Sequence, residues 1–321
     1  MKKEELFELF GEINESYISQ AHTDTRKKTR TVWVRLSTIA ACFVLILSIA
    51  FTAEATKGTV SNLFAPLFGG AQTEIMEEIG VPIEASASVN GYTLTADAII
   101  GDRYSFIVMY TLSRDDGQPI PNHVAFDQFT HTLGGSGSVI GDPIVKETDN
   151  PSVAHFSLRW HRGAPVVGKI LTSSFSTLVI DDRDDETEDV VVAEGMWKLT
   201  FALRYPDATV EIPMHHLPVT DAGGSRYEVE RMMLSPVGVH FDLILHEPDV
   251  DAFGGNFQVS IVLKDGTEIP LEGGGSGRWT EGDKKTEVTH YASFDTLINS
   301  EDIQAIIICD TVYEINIPGE E

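Results

Sequence analysis

Residues 26–51, RKKTRTVWVRLSTIAACFVLILSIAF, set a block of cations directly in front of a long apolar run. No charged residue occurs from Leu36 to Ala53. As a helix rising about 1.5 Å per residue, this stretch extends roughly 27 Å, close to a hydrocarbon core of about 30 Å. Trp33 and Arg35 lengthen the span by lying at the interface. A core helix of a soluble domain carries a polar stripe on its far face, whereas here only Ser37, Thr38 and Ser48 interrupt the apolar residues before the last turn. The run is therefore expected to be a transmembrane helix over 33–54. Arg26, Lys27, Lys28, Arg30 and Arg35 all precede it, and with Trp33 they are the expected membrane-interface residues. Cations stay on the cytoplasmic side, so the N-terminus is expected inside and everything beyond about residue 54 outside. TAEA at 52–55 has the small-x-small pattern of a cleavage site. The acid-rich stretch ahead of the run is too long for a secretory leader, which leaves an uncleaved anchor as the expectation and cleavage after Ala55 as the alternative.

Charge divides across this segment. The chain carries 23 Lys+Arg against 49 Asp+Glu, a formal net charge of −26, while residues 1–35 are nearly balanced. The negative charge thus lies beyond the apolar run, which argues against nucleic acid or anionic lipid as a partner of that part. Of the two cysteines, Cys42 falls in the apolar run and Cys309 in an apolar stretch read as a strand, so no disulfide framework is expected.

Ahead of the cations, residues 1–32 form an arm. Leu6, Phe10, Ile13 and Tyr17 recur at spacings of four, three and four, while Glu5, Glu8, Glu12 and Glu15 take the other face. An isolated helix of this length is marginal in water, so its apolar stripe calls for a cover. Its acids make membrane lipid the weakest candidate, leaving a cytoplasmic protein bound through those four side chains, with a weakly helical tail as the alternative.

Beyond the membrane, residues 55–83 are read as a short helical stalk, with Thr73 as N-cap and Gly80 as stop. From about residue 84 the period changes to two, in short stretches such as RYSFIVMYTL, HFSLRWH, MWKLTFALRY and VHFDLILH, separated by Gly, Asp, Asn and Pro. No long amphipathic helix alternates with them, so the expected class is mainly β, antiparallel and sandwich-like. The length suits two domains, 84–207 and 208–318. An internal repeat supports the division: GYTLTADAIIGDRYSFIVMY aligns without gaps on RYEVERMMLSPVGVHFDLIL, placing Tyr92 on Tyr227, Leu94 on Val229, Ile99 on Leu234, Phe106 on Phe241 and Val108 on Leu243.

Signatures of catalysis are thin. No G-x-S-x-G, H-E-x-x-H, phosphate-binding loop or Cys-x-x-Cys occurs. His215 and His216 are adjacent and on a strand would face opposite ways, so no metal is expected there. The acid run Asp181–Asp189 lacks the spacing of a calcium loop and reads as a solvated hairpin loop. Residues 133–139 and 271–279 are glycine-rich and read as flexible loops. Trp160, Trp197 and Trp279 are read as core residues, with a glycan platform as the alternative. No cofactor and no enzymatic activity are expected.

The acidic LFGEINESYISQA helix, the basic junction, the stalk and VNGYTLTADAIIGDRYSFIVMYTL together resemble the DUF4179 family of Gram-positive membrane proteins. The final domain is similar to the immunoglobulin-like DUF5643 module. The resemblance implies two immunoglobulin-like antiparallel β-sandwiches outside the cell membrane. It also implies an anti-sigma role, in which the arm holds a sigma factor inactive and the sandwiches receive an envelope signal. A cytoplasmic segment of some 30 residues and the absence of a zinc-binding His-x-x-x-Cys-x-x-Cys set depart from the better-known anti-sigma pattern. The alternative reading is a non-enzymatic surface-binding or structural protein anchored by its N-terminal helix.

Overall fold

The computed structural model describes residues 59–133, 144–147, 150–180, 190–214, 216–245, 257–280 and 285–315. Among them the chain is mainly β, built of antiparallel sheets, and no helix is long and apolar enough to cross a membrane. The apolar run at 36–53 lies outside the described residues.

Two short helices come first, α1 (Thr59–Phe68) and α2 (Thr73–Ile79), joined by a 3-10 turn (Gly70–Gln72). Val60, Phe64 and Phe68 recur every four residues along α1 and are all buried. The two helices are tied at their ends, where the Ser61 amide donates to Glu77 Oε1 at 2.9 Å. The N-cap of α2 is Gln72 and Thr73 is its first helical residue, its hydroxyl donating back to the Gly70 carbonyl. Gly80 ends the helix and opens the first strand, as its place in the sequence suggests.

The strands that follow are β1 (Gly80–Val89), β2 (Tyr92–Gly101), β3 (Ser105–Arg114), β4 (Val124–Leu133), β5 (Ile144–Glu147), β6 (Val153–His161), β7 (Ile170–Ile180) and β8 (Val190–Ala202). They make a five-stranded sheet in the order β1-β2-β3-β6-β5 and a three-stranded sheet β4-β7-β8. Alternation along each strand turns one face inward, and Leu94, Phe106, Trp160, Phe175 and Trp197 meet in a common core. The expected stalk residues do not stand free over 59–79: Val60, Phe64, Met76 and Ile79 cover Ala98, Ile100, Ile107 and Met109 on the outer side of β2 and β3. Those two strands are apolar on both faces for half their length because a helix layer lies on one and the core on the other.

The remaining strands are β9 (Val210–Ile212), β10 (Leu217–Thr220), β11 (Arg226–Ser235), β12 (Gly238–Leu245), β13 (Val259–Leu263), β14 (Glu268–Thr280), β15 (Lys285–Ser293), β16 (Ile303–Ile308) and β17 (Thr311–Glu314). They form one sheet in the order β10-β11-β12-β15-β14-β13-β16-β17, with β9 also on β11. Val229, Phe241, Ile261, Val288 and Ile306, from distant positions in that order, share one core, so the sheet folds over itself. The fold is made by β14, whose residues Glu268–Leu271 pair with β13 and Glu272–Thr280 with β15. Residues 271–279, expected as a flexible loop, are therefore ladder. Gly273 is needed for approach: a Cβ there would lie 2.4 Å from the Tyr291 carbonyl oxygen and 2.9 Å from His290 Nε2. Cys309, expected within a strand, follows β16 in the turn to β17, at φ 53°.

Candidate functional site at the junction of the two cores

The two copies of the internal repeat are the hairpins β2–β3 and β11–β12. All five aligned pairs are buried, one member in each core. The hairpins meet at their turns. Asp102 lies in the first turn, almost wholly buried, and its Oδ1 accepts from the backbone amides of Tyr104 (2.8 Å) and Ser105 (2.6 Å). Its Oδ2 accepts from the Ser235 hydroxyl at the end of β11, at 2.7 Å. A second tie runs from the Ser105 hydroxyl to the Tyr291 oxygen (3.1 Å), and the Tyr291 hydroxyl in turn donates to the Val237 carbonyl (3.1 Å).

Beside these bonds four rings form a row, stacked at its two ends and tilted by 52° in the middle. Tyr104 lies on His240 with centroids 4.0 Å apart, His240 is 5.3 Å from His161, and His161 lies on Tyr291 at 4.2 Å with planes 8° apart. Tyr104, in the β2–β3 turn, and His161, on β6, belong to the first half, and His240 and Tyr291 come from strands of the second. The rings thus alternate between the two halves of the molecule. Register explains why they face one another: Ser105 pairs with His161 across β3 and β6, and His240 with Tyr291 across β12 and β15. Gly238 keeps the approach open, since a Cβ there would stand 2.7 Å from the Tyr291 hydroxyl.

The electrostatics are those of a largely buried joint. Burial pushes the Asp102 carboxyl up, against the pull of the bonds from Ser235, Tyr104 and Ser105. Burial, with the neighbouring His240 and His290 adding to it, pushes His161 down to about 3. Asp242 is also drawn up by burial, but hydrogen bonds from His240 and Arg231 outweigh this and hold it below the carboxylate range. Its Oδ2 takes Arg231 Nε at 2.7 Å and its Oδ1 lies 3.3 Å from His240 Nε2. The Nδ1 atoms of His161 and His240 are buried with no hydrogen-bond partner. Among the described residues no group of three or more His, Cys, Asp or Glu is placed to hold a metal ion. The junction offers a titratable contact between the two halves.

A second polar line lies on the outer face of the five-stranded sheet. Thr111 donates to Asp97 Oδ2 at 2.6 Å and sits 2.8 Å from His155 Nδ1. Burial raises Asp97 to about 6, partly offset by the Thr111 bond.

The arm residues Leu6, Phe10, Ile13 and Tyr17 and the interface residues Arg26, Lys27, Lys28, Arg30, Trp33 and Arg35 lie outside the described residues, as do Cys42, His215 and Asp181–Asp189. His216 is exposed and pairs with Glu228. Trp160 and Trp197 are core residues, the latter donating from Nε1 to the Tyr92 carbonyl at 2.9 Å. Sequence reasoning passed over the junction rings. A signal was present: Trp160-His161, His240-Phe241 and His290-Tyr291 each join a histidine to an aromatic on a strand. Alternation then sends one ring of each pair to the core and the other to the outer face.

No family model and no curated protein matches the chain. One solved structure, described as the crystal structure of the conserved domain protein from Bacillus anthracis, is similar with a TM-score of 0.49 at 13% identity, covering 71% of this chain and 76% of that one. A likeness at that level carries no argument about function.

Proposed function

We propose that the chain is a single-pass membrane regulator with its N-terminus in the cytoplasm and its β modules, two immunoglobulin-like sandwiches, outside. The observation that carries this reading is the cation block at 26–35 followed by the charge-free run to Ala53. The mainly β architecture beyond residue 80 supports it, since two packed β modules make an exported body that needs no disulfide. Only five residues separate Ala53 from the start of α1.

In this reading the arm is the output. Leu6, Phe10, Ile13 and Tyr17 form an apolar stripe that docks in a groove of a sigma factor or another cytoplasmic protein and blocks its onward contacts. The modules are the input and work by binding or rearrangement, without catalysis. Affinity capture from native membranes tests the assignment, comparing the tagged full chain with one lacking residues 2–24 and with the Phe10→Asp/Ile13→Asp variant. A sigma factor recovered only by the intact arm is the expected result. Capture unaffected by either change refutes the regulator reading and leaves an anchored surface-binding protein.

A further inference from the structure

We propose that the alternating ring stack is a pH-sensitive latch between the two β modules: acidification that protonates His161 parts the stack while both cores stay folded. This rests on the junction alone and holds whatever the arm binds. Tyr104, His240, His161 and Tyr291 are drawn alternately from the two halves, so no ring can leave without breaking contact with the other half. Once parted, the half-buried His161 is fully hydrated and regains an ordinary imidazole affinity for protons.

The closed joint has no place for the new charge. From its own strand and the residue after it, His161 has Arg159 two positions back on the same face and Arg162 next along the chain. From the β2–β3 turn come Tyr104 and Asp102, from β11 Arg231, from β12 His240 and Asp242, and from β15 His290 and Tyr291. The two carboxylates are already committed, Asp102 to three donors and Asp242 to Arg231 and His240. Arg231 already occupies Asp242, so an imidazolium at His161 would be a cation with no carboxylate of the joint left to pair with, held next to a second histidine. Asp102 works in the opposite sense, since burial favours its neutral form, but it takes up its proton without leaving the joint. Val237 and Leu297 join the helix layer in one apolar cluster, which serves as the pivot. The cores are separate clusters of buried apolar side chains that do not include the four rings.

Between pH 7.5 and pH 5, a histidine that titrates near 6.5 when open and near 3 when closed raises the open-to-closed ratio roughly 30-fold. The test is a distance measurement by pulsed electron paramagnetic resonance on the full chain in mild detergent. Spin labels go at Gln118→Cys and Lys264→Cys, both exposed, in a Cys42→Ser/Cys309→Ser background. We expect one narrow distance at pH 7.5 and a second, broader population at pH 5, with the far-ultraviolet strand signal unchanged. His161→Phe, a ring that cannot take a proton, is expected to hold the narrow distance at both pH values; if it fails to fold at pH 7.5, His161→Gln takes its place. An unchanged wild-type distance, the same response in the variant, or strand signal lost in step with the broadening overturns the proposal.

Discussion

His290 offers a clean test of how the second core responds to acid. Its imidazole points to the same side of β15 as Phe241 does on β12, its ring lies 5.2 Å from that of Phe257, and both ring nitrogens are buried without a hydrogen-bond partner. Burial, with the nearby His240 adding to it, pushes the group down to about 4 from an ordinary 6.5. The folded form therefore binds its proton more weakly than the unfolded chain. The stability this group leaves intact is fully present above pH 6.5 and is lost as the pH falls from there towards 4. At pH 5 the loss comes to about 2 kcal/mol relative to pH 7.5. Replacing it by leucine, a side chain of similar volume with nothing to titrate, removes the loss.

The assay is amide hydrogen exchange of β12, β13 and β15, taken as the ratio of wild type to His290→Leu at each pH so that the intrinsic pH dependence cancels. Exchange in wild type should outrun the variant by roughly 30-fold more at pH 5 than at pH 7.5, the factor that about 2 kcal/mol represents. A ratio that does not change with pH would mean that the ring is protonated, or reaches water, in the folded protein. The reasoning from burial would then be wrong.

Two further changes bear on other parts of the fold. Asp97 is raised to about 6, so it weakens the fold as the pH rises from 3.8 through 6; Asp97→Asn keeps an acceptor for Thr111 and should stabilise the first module by about 3 kcal/mol at pH 7, but hardly at pH 4, as read by urea unfolding followed through Trp160 and Trp197. Gly273→Ala should destabilise the second module by about 2 kcal/mol or more, because the methyl meets the Tyr291 carbonyl where β14 passes from β13 to β15, and thermal unfolding of the variant checks this.

What the sequence makes legible follows from how local each cause is. The β2–β3 and β11–β12 hairpins can be read in advance because period-two alternation is written in adjacent residues, and the gapless alignment from Tyr92 to Val108 picks out side chains that are buried in both copies. The helical character of 59–79 is legible near its end, where Gly80 marks the stop of the second helix. What the two helices cover cannot be read there, because the other half of that contact, Ile107 and Met109, looks like the outer face of any strand until something lies on it. β14 fails for the opposite reason. GGGSG is what a flexible loop looks like, and only the distant carbonyl of Tyr291 and ring of His290 show that the missing side chains make room for a ladder.

The junction is the hardest case, since each of its four rings sits in a different strand or turn and none is unusual in its own window. Asp102 is buried only because Ser235, more than a hundred residues later, comes to meet it. Yet the alternation that hides the rings also constrains them. If Trp160 and Phe241 are in the cores, their neighbours His161 and His240 must lie on outer faces. Two outer faces that both carry rings can exclude water only by meeting each other. A repeat of hairpins with an aromatic or imidazole ring on the outer face near the turn is thus a sequence pattern for a turn-to-turn joint. In this chain the joint sets two histidines against each other with no free carboxylate between them.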